Sequence, residues 1–166
     1  MNKYEDADKI LNERFGRDCL VSVATVEGSR PHVRVVNSYY EDGEFHVVTN
    51  ALSNKMRQIA AHPEVAVCGM FFTAHGMGED LGHLRAEGNA AAMAKLRKAF
   101  APWYEGNVNE DDPHLHLLRI RLTDGLITVD EMLDNVSRMK CQYNVDFVNR
   151  TAAVSTPETP ETISTN

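Results

Sequence analysis

The chain has 166 residues, 43% of them hydrophobic, which is the size and balance of one ordinary domain around a single core. Its 17 Lys and Arg against 24 Asp and Glu leave a formal charge of −7, which argues against non-specific attraction to nucleic acid or to an anionic membrane surface. No stretch reaches the roughly 18 consecutive apolar residues of a membrane span, and residues 1–8 lack the apolar core of a signal peptide, so the expected location is the cytoplasm.

Tyr4, Ala7, Leu11 and Phe15 recur at helical spacing with charges between them, which predicts an amphipathic helix over 3–15, ended by Gly16. Residues 19–26 are rich in β-branched side chains and stop at Glu27 and Gly28, a strand followed by a turn. A second strand over 32–40 meets Asp42 and Gly43, a strong hairpin signal, with 44–49 as its partner. Met56, Ile59 and Ala60 share one face of a predicted helix over 53–62, closed by Pro63, and 65–72 is an apolar run that predicts one buried strand. Residues 73–78 carry no clear signal.

Met93, Leu96, Phe100 and Trp103 predict a helix over 88–104, interrupted near its end by Pro102 and followed by an acidic loop. Residues 114–122 alternate as a strand, Thr123, Asp124 and Gly125 read as a turn, and 126–129 as the hairpin partner, with a short last strand over 142–148. Residues 132–140 are too polar and irregular to place. The Thr-, Ser-, Pro- and Glu-rich stretch 151–166 cannot repay the entropy of ordering and is predicted to be a disordered tail, leaving one domain over 1–150. Six or seven strands and three helices, joined mostly as neighbouring hairpins, predict a mainly β fold with flanking helices, an antiparallel sheet closing into a small barrel.

Three scattered cysteines, Cys19, Cys68 and Cys141, encode neither a disulfide framework nor a local zinc site and read as small buried hydrophobes. Residues 47–55 are more informative, because a strand runs through a short polar loop into a helix with Ser53 as N-cap candidate. Free backbone N–H groups, the hydroxyls of Thr49 and Ser53 and the ammonium of Lys55 would converge there on a phosphate; the alternative is an ordinary cap with a solvated lysine. Arg34, standing on a strand beside valines, either reaches solvent or is held for a fork-shaped acceptor, and with Lys55 it would offer two positive charges to one dianion. His114 and His116, two apart on a predicted strand, with His75 and His83, make a rival metal or heme site, against which surface histidines are the commoner explanation.

Arg34-Val-Val, the Asp42-Gly43 hairpin and the run from Val48 through Thr49, Asn50, Ser53, Lys55, Gln58 and Ile59 to His62-Pro63 resemble the flavin-binding block of the pyridoxamine 5′-phosphate oxidase-like split-barrel family. The resemblance implies an antiparallel split β-barrel, a homodimer with FMN in two interface grooves, and a phosphate held by Arg34, Ser53 and Lys55. Main chain at Val35, Val36 and Asn37 would face the ring system. Thr49, Asn50, Asn54 and Gln58 would complete the cofactor-binding set, and Trp103 and Tyr104 would either stack on the flavin across the dimer or belong to the core. True pyridoxamine 5′-phosphate oxidases carry a lysine five residues after the arginine and a C-terminal Trp-x-x-x-Arg-Leu signature. Here Tyr39 stands at the lysine position and nothing after Leu122 resembles the signature. The implied function is an FMN-dependent oxidoreductase acting on a small-molecule substrate or electron donor, with no nucleic-acid or membrane partner. The alternative is a non-catalytic flavin- or heme-binding module on the same fold.

Overall fold

The first helix, α1 (Lys3–Phe15), starts where Asn2 and Glu5 satisfy each other's backbone N–H groups at 2.9 Å and ends where the Gly16 N–H closes on the Asn12 carbonyl at 2.8 Å. Its buried face is the predicted one, Tyr4, Ala7, Leu11 and Phe15. The computed structural model describes residues 2–133 and 135–157. The strands are β1 (Cys19–Glu27), β2 (Arg30–Glu41), β3 (Glu44–Asn50), β4 (Glu64–Gly69), β5 (Phe72–His83), β6 (Leu115–Leu133), β7 (Val136–Asp146) and β8 (Thr151–Ser155). The helix α2 (Asn54–Ala61) follows β3, while α3 (Ala90–Ala99) and the short α4 (Tyr104–Asn107) lie between β5 and β6. Among the described residues no helix is long and apolar enough to cross a membrane.

All pairings are antiparallel, in the order β3-β2-β1-β4-β5-β6-β7-β8, and β6 also pairs with β3, so the first six strands close into a barrel. One edge of β6 makes that closure and then leaves it. Arg121 still faces Glu44 of β3, but Asp124 already faces Asp146 of β7. Between them Thr123 is skipped in the pairing with β5, where His75 opposes Asp124 and Gly76 opposes Leu122. The predicted turn at 123–125 is therefore a bulge within one 19-residue strand. A side chain on Gly125 would come within 3.0 Å of the Thr73 carbonyl, so the glycine serves close strand packing there, not chain reversal.

Other expectations are corrected in the same way. The apolar run 65–72 is broken after Gly69 by a two-residue turn, with Phe71 in the left-handed region at φ 52°. Residues 73–78 belong to β5. The helix predicted over 88–104 is a 3-10 turn (Glu87–Asn89), α3 and α4, because the chain leaves helical geometry around Pro102. Residues 136–140 open β7, and 151–155 form β8 on its outer edge, where the inward turn of Ala152 and Val154 adds enough packing to order what composition marks as tail. The rest of that predicted tail, 158–166, lies outside the described residues. The described residues hold eight strands, one more than the upper expectation.

Two hydrophobic layers result. The barrel interior, with Val21, Val23, Phe45, Val67, Phe72, Leu118 and Ile120, is plugged by α1 and by Met56 and Ile59 of α2. A second layer, with Met93, Leu96, Phe100 and Tyr104, lies between the α3–α4 segment and the outside of the barrel around Leu117. Adjacent residues of β6 thus bury opposite faces, Leu117 outward under α3 and Leu118 inward. Each fully buried side chain of this size contributes about 1.5–3 kcal/mol.

Candidate functional site

The site is built where β2, β3 and α2 meet. Arg34 of β2 is half-buried, and its guanidinium donates through Nη1 to the Val23 carbonyl at 3.1 Å and Thr25 Oγ1 at 2.6 Å, and through Nη2 to Gln58 Oε1 at 2.9 Å. Gln58 is buried on α2. Its Oε1 also accepts from the Thr25 hydroxyl at 2.6 Å, and its Nε2 donates to Glu27 at 3.3 Å. Gln58 therefore stands behind Arg34 and aims it, with both amide ends engaged inside the protein. Thr25, at a core-facing position of β1, completes that support. A polar side chain in the inward series Val21, Val23, Thr25 was the sequence signal for it.

Lys55 lies in the first turn of α2. Its Nζ donates to Ser53 Oγ at 3.3 Å. Ser53 occupies the N-cap with extended backbone, but its hydroxyl makes no cap hydrogen bond, which leaves the helix's first N–H groups open. Asn50 shapes the approach, since its Oδ1 accepts the Leu52 N–H at 2.8 Å and its carbonyl accepts the Ser53 N–H at 3.1 Å. Asn54 is exposed, and its Oδ1 accepts from Arg57 at 3.3 Å. The Lys55 ammonium is pushed below its usual range by burial and then by the neighbouring Arg34 charge; burial also lowers Arg34. Among the described residues no carboxylate lies within 4 Å of either cation. The close approach of α2 is permitted by Gly78 of β5, where a Cβ would sit 2.9 Å from Ile59 Cγ2.

Beside these cations lies a cavity of about 350 Å³, lined by Val36, Asn37, Val48, Thr49, Asn50, Lys55, Trp103 and Leu115 among others. That volume falls in the range of small-molecule sites. Five of the ten residues expected at a cofactor site meet there. The Val35 side chain is exposed on the outer face of β2, the face it shares with Asn37. Trp103 is half-buried, stacked on the buried Phe100 with ring centroids 4.9 Å apart, so it belongs to the second layer and to the cavity wall at once. Tyr104 is buried in that layer. Tyr39, at the position where the family's oxidases have lysine, packs against the same layer.

The histidines do not converge. His75 Nδ1 is 2.8 Å from Asp124, His116 Nδ1 is 2.9 Å from Asp80, and His83 Nε2 is 3.2 Å from the Asp112 carbonyl. His114 precedes β6 instead of sharing its face with His116. Among the described residues no three His, Cys, Asp or Glu side chains gather in metal-ligating geometry. The expectation of buried cysteines fails at Cys68, which takes the outward face of β4 while Val65 and Val67 point in; Cys19 and Cys141 are half-buried. All three are free thiols.

Residues 8–128 match the sequence pattern of a family described as pyridoxamine 5′-phosphate oxidase. No curated protein matches the chain in sequence. Among solved structures the chain is similar to a pyridoxamine 5′-phosphate oxidase-related, FMN binding protein from Nostoc punctiforme, at 15% identity over 96% of this chain and 98% of that one, with a TM-score of 0.56. It is also similar to general stress protein 26 from Bacillus anthracis, at 17% identity over 72% and 91% of the two chains and a TM-score of 0.57. The heme storage protein from Vibrio cholerae matches at 15% identity over 74% and 91%, with a TM-score of 0.55. At these identities the likeness establishes the fold, an antiparallel split barrel.

Proposed function

From the membership of this chain in the pyridoxamine 5′-phosphate oxidase family we propose that it is a homodimeric FMN-binding protein that passes electrons between FMN and a small-molecule substrate. The observation that carries this reading is the pair of uncompensated cations, Arg34 and Lys55, at an open helix N-terminus beside the 350 Å³ cavity. Two half-buried positive charges that repel each other are costly until an anion joins them. A phosphate monoester supplies the missing charge, taking the free N–H groups of Arg34, the Lys55 ammonium, the Ser53 hydroxyl and the first-turn N–H groups of α2.

With the phosphate there, the attached ring system would be held by Val36, Asn37, Thr49, Asn50 and Trp103, which line the cavity. Bound FMN supplies hydride chemistry that needs no protein nucleophile. The chain's own contribution is to bind, to orient, and to exclude water with Val36, Val48 and Leu115. Pyridoxamine phosphate does not fit as substrate, because Tyr39 is packed into the second layer where a cation would be needed.

The test is titration of the purified protein with FMN, followed by flavin fluorescence and absorption. Lys55→Ala and Arg34→Ala are each expected to weaken FMN by about 1.5–3 kcal/mol, roughly 10- to 150-fold. Unchanged affinity in both variants sinks the phosphate assignment. Rapid bleaching of the bound flavin by reduced nicotinamide, reversed by a quinone or nitroaromatic, is expected of an oxidoreductase. A preparation that releases heme in place of FMN transfers the site to the alternative reading.

A further inference from the structure

Asp18 lies in the bend between α1 and β1, outside the block of residues 34–58 that carries the expected cofactor set. Its carboxylate joins two walls of the cavity. Oδ2 accepts the Trp103 indole N–H at 2.6 Å, and Oδ1 accepts from Asn37 Nδ2 at 3.1 Å. Trp103 and Asn37 both line the cavity from different elements, Trp103 in the α3–α4 connection and Asn37 on β2.

The main chain of the connection is held by the Trp103 and Tyr104 N–H groups on the Phe100 carbonyl, at 3.0 and 2.9 Å, but these bonds do not orient the indole ring. Ala101 and Pro102 are exposed, and the stack on Phe100 fixes the plane of the indole but not its rotation within that plane. An acceptor at the indole N–H fixes the rotation. At Asn37 the effect is polarity. A carboxylate only accepts, so the amide presents its NH2 to Asp18 and leaves Oδ1 to accept from a ligand. The ring end of the cavity therefore offers an oriented aromatic wall, an amide oxygen acceptor and apolar sides from Val36, Val48 and Leu115. That combination suits a flat heteroaromatic ring carrying an N–H on its edge.

We infer that Asp18 is the positioning residue for ring recognition, setting Trp103 and Asn37 around the planar end of the ligand, independently of the Arg34 and Lys55 grip on its phosphate. The inference rests on the FMN reading above. A flavin has the required edge N–H on its pyrimidine ring, and riboflavin keeps that ring while lacking the phosphate, so the two ends can be tested apart.

The experiment measures Kd for FMN and for riboflavin with the full chain, its Asp18→Ala and Asp18→Asn variants, and Lys55→Ala. Emission from Trp103 is read in parallel, since it is the chain's single tryptophan. Asp18→Ala is expected to weaken both ligands by the same factor, about tenfold, the scale of one hydrogen bond to the ligand. Lys55→Ala weakens FMN alone. Asp18→Asn keeps one acceptor oxygen and falls between the native chain and Asp18→Ala. Ligand-induced quenching of Trp103 drops in Asp18→Ala in proportion to the loss of order in the indole. If Asp18→Ala does not fold, Asn37→Ala replaces it, with the same equal loss expected for both ligands. Unchanged affinities, or a loss confined to FMN, overturn the role of Asp18 while leaving the FMN reading intact. A native chain that binds neither flavin overturns both.

Discussion

Lys55 holds its charge half-buried, beside a second cation and without a carboxylate within 4 Å among the described residues. Its pKa in the folded chain is therefore depressed below the ordinary 10.5. Between the depressed value and 10.5 the unfolded chain binds the proton and the folded chain does not, so stability rises as pH climbs through that window. Without ligand, the melting temperature of the native chain should gain on that of Lys55→Met as pH is raised toward 10.5. Saturating FMN should abolish the gain, since the phosphate restores the ammonium's partner. A difference between the two proteins that is flat with pH refutes the account of Lys55 as an uncompensated cation. Arg34 is held differently, by neutral acceptors on β1 and α2, which fix its aim without cancelling its charge. These two residues were legible as chemistry in the sequence because the motif spans only 22 positions. Asp18 and Thr25 were not, since their partners are reached only through strand pairing and the α3–α4 connection.

At the scale of elements, α2 carries Ser53, Lys55 and Gln58, and its height above the sheet is set where Ile59 meets Gly78. Gly78→Ala places a methyl 2.9 Å from Ile59 Cγ2, which is relieved by a shift of the buried Ile59 side chain and of the helix that carries it. The expected cost is about 1–3 kcal/mol in stability, with weaker FMN binding as the cations move; a variant with native affinity shows that α2 position is not critical. The α3–α4 segment is fastened by Glu110, which accepts from Arg97 at 2.7 and 2.8 Å and from the Tyr104 hydroxyl at 2.8 Å. The Arg97 hydrogen bond, with help from Tyr104 and Arg85, holds the Glu110 carboxyl down at about 2. Its contribution is fully present above the ordinary 4.5 and is lost as pH falls from there through about 2. Glu110→Gln should lose about 1.5–3 kcal/mol at neutral pH, the range for hydrogen bonds to a charged group, and show a flatter acid limb in thermal melts between pH 4.5 and 2. The elements from α1 through α2 follow local signals closely: helical period, an N-cap, an Asp-Gly hairpin. Beyond them local signals mislead. The Met70–Phe71 reversal uses no turn residue, and the Asp124-Gly125 pair marks a bulge where β6 exchanges one neighbour strand for another. The start of β7 is exposed on both faces, so no alternation marks it as a strand, and β8 is ordered by what it packs against.

For the whole molecule, the outward face of β1 and β2 is a feature that a single chain leaves unexplained. Leu20, Val33 and Val35 are 62%, 71% and 61% exposed, and cross-strand pairing puts them on one face with Ser22, Ala24 and Asn37. The face continues through Ala66 and Cys68 of β4 into a groove of about 550 Å³ bordered by Thr73, His75 and Asp124. Contiguous exposed apolar surface of this kind marks an interaction site. Asn37 belongs both to this face and to the ligand cavity, so a partner seated on the face adjoins the ligand. A second copy related by a two-fold axis meets that requirement with the same residues on both sides. The native chain should therefore sediment at twice its 18.6 kDa mass. Val35→Glu changes only an exposed position, so each chain should keep its far-ultraviolet circular dichroism while the dimer separates and FMN affinity falls with it. A Val35→Glu chain that remains dimeric removes this face from the interface, and one that is monomeric with native FMN affinity confines the cofactor site to a single subunit.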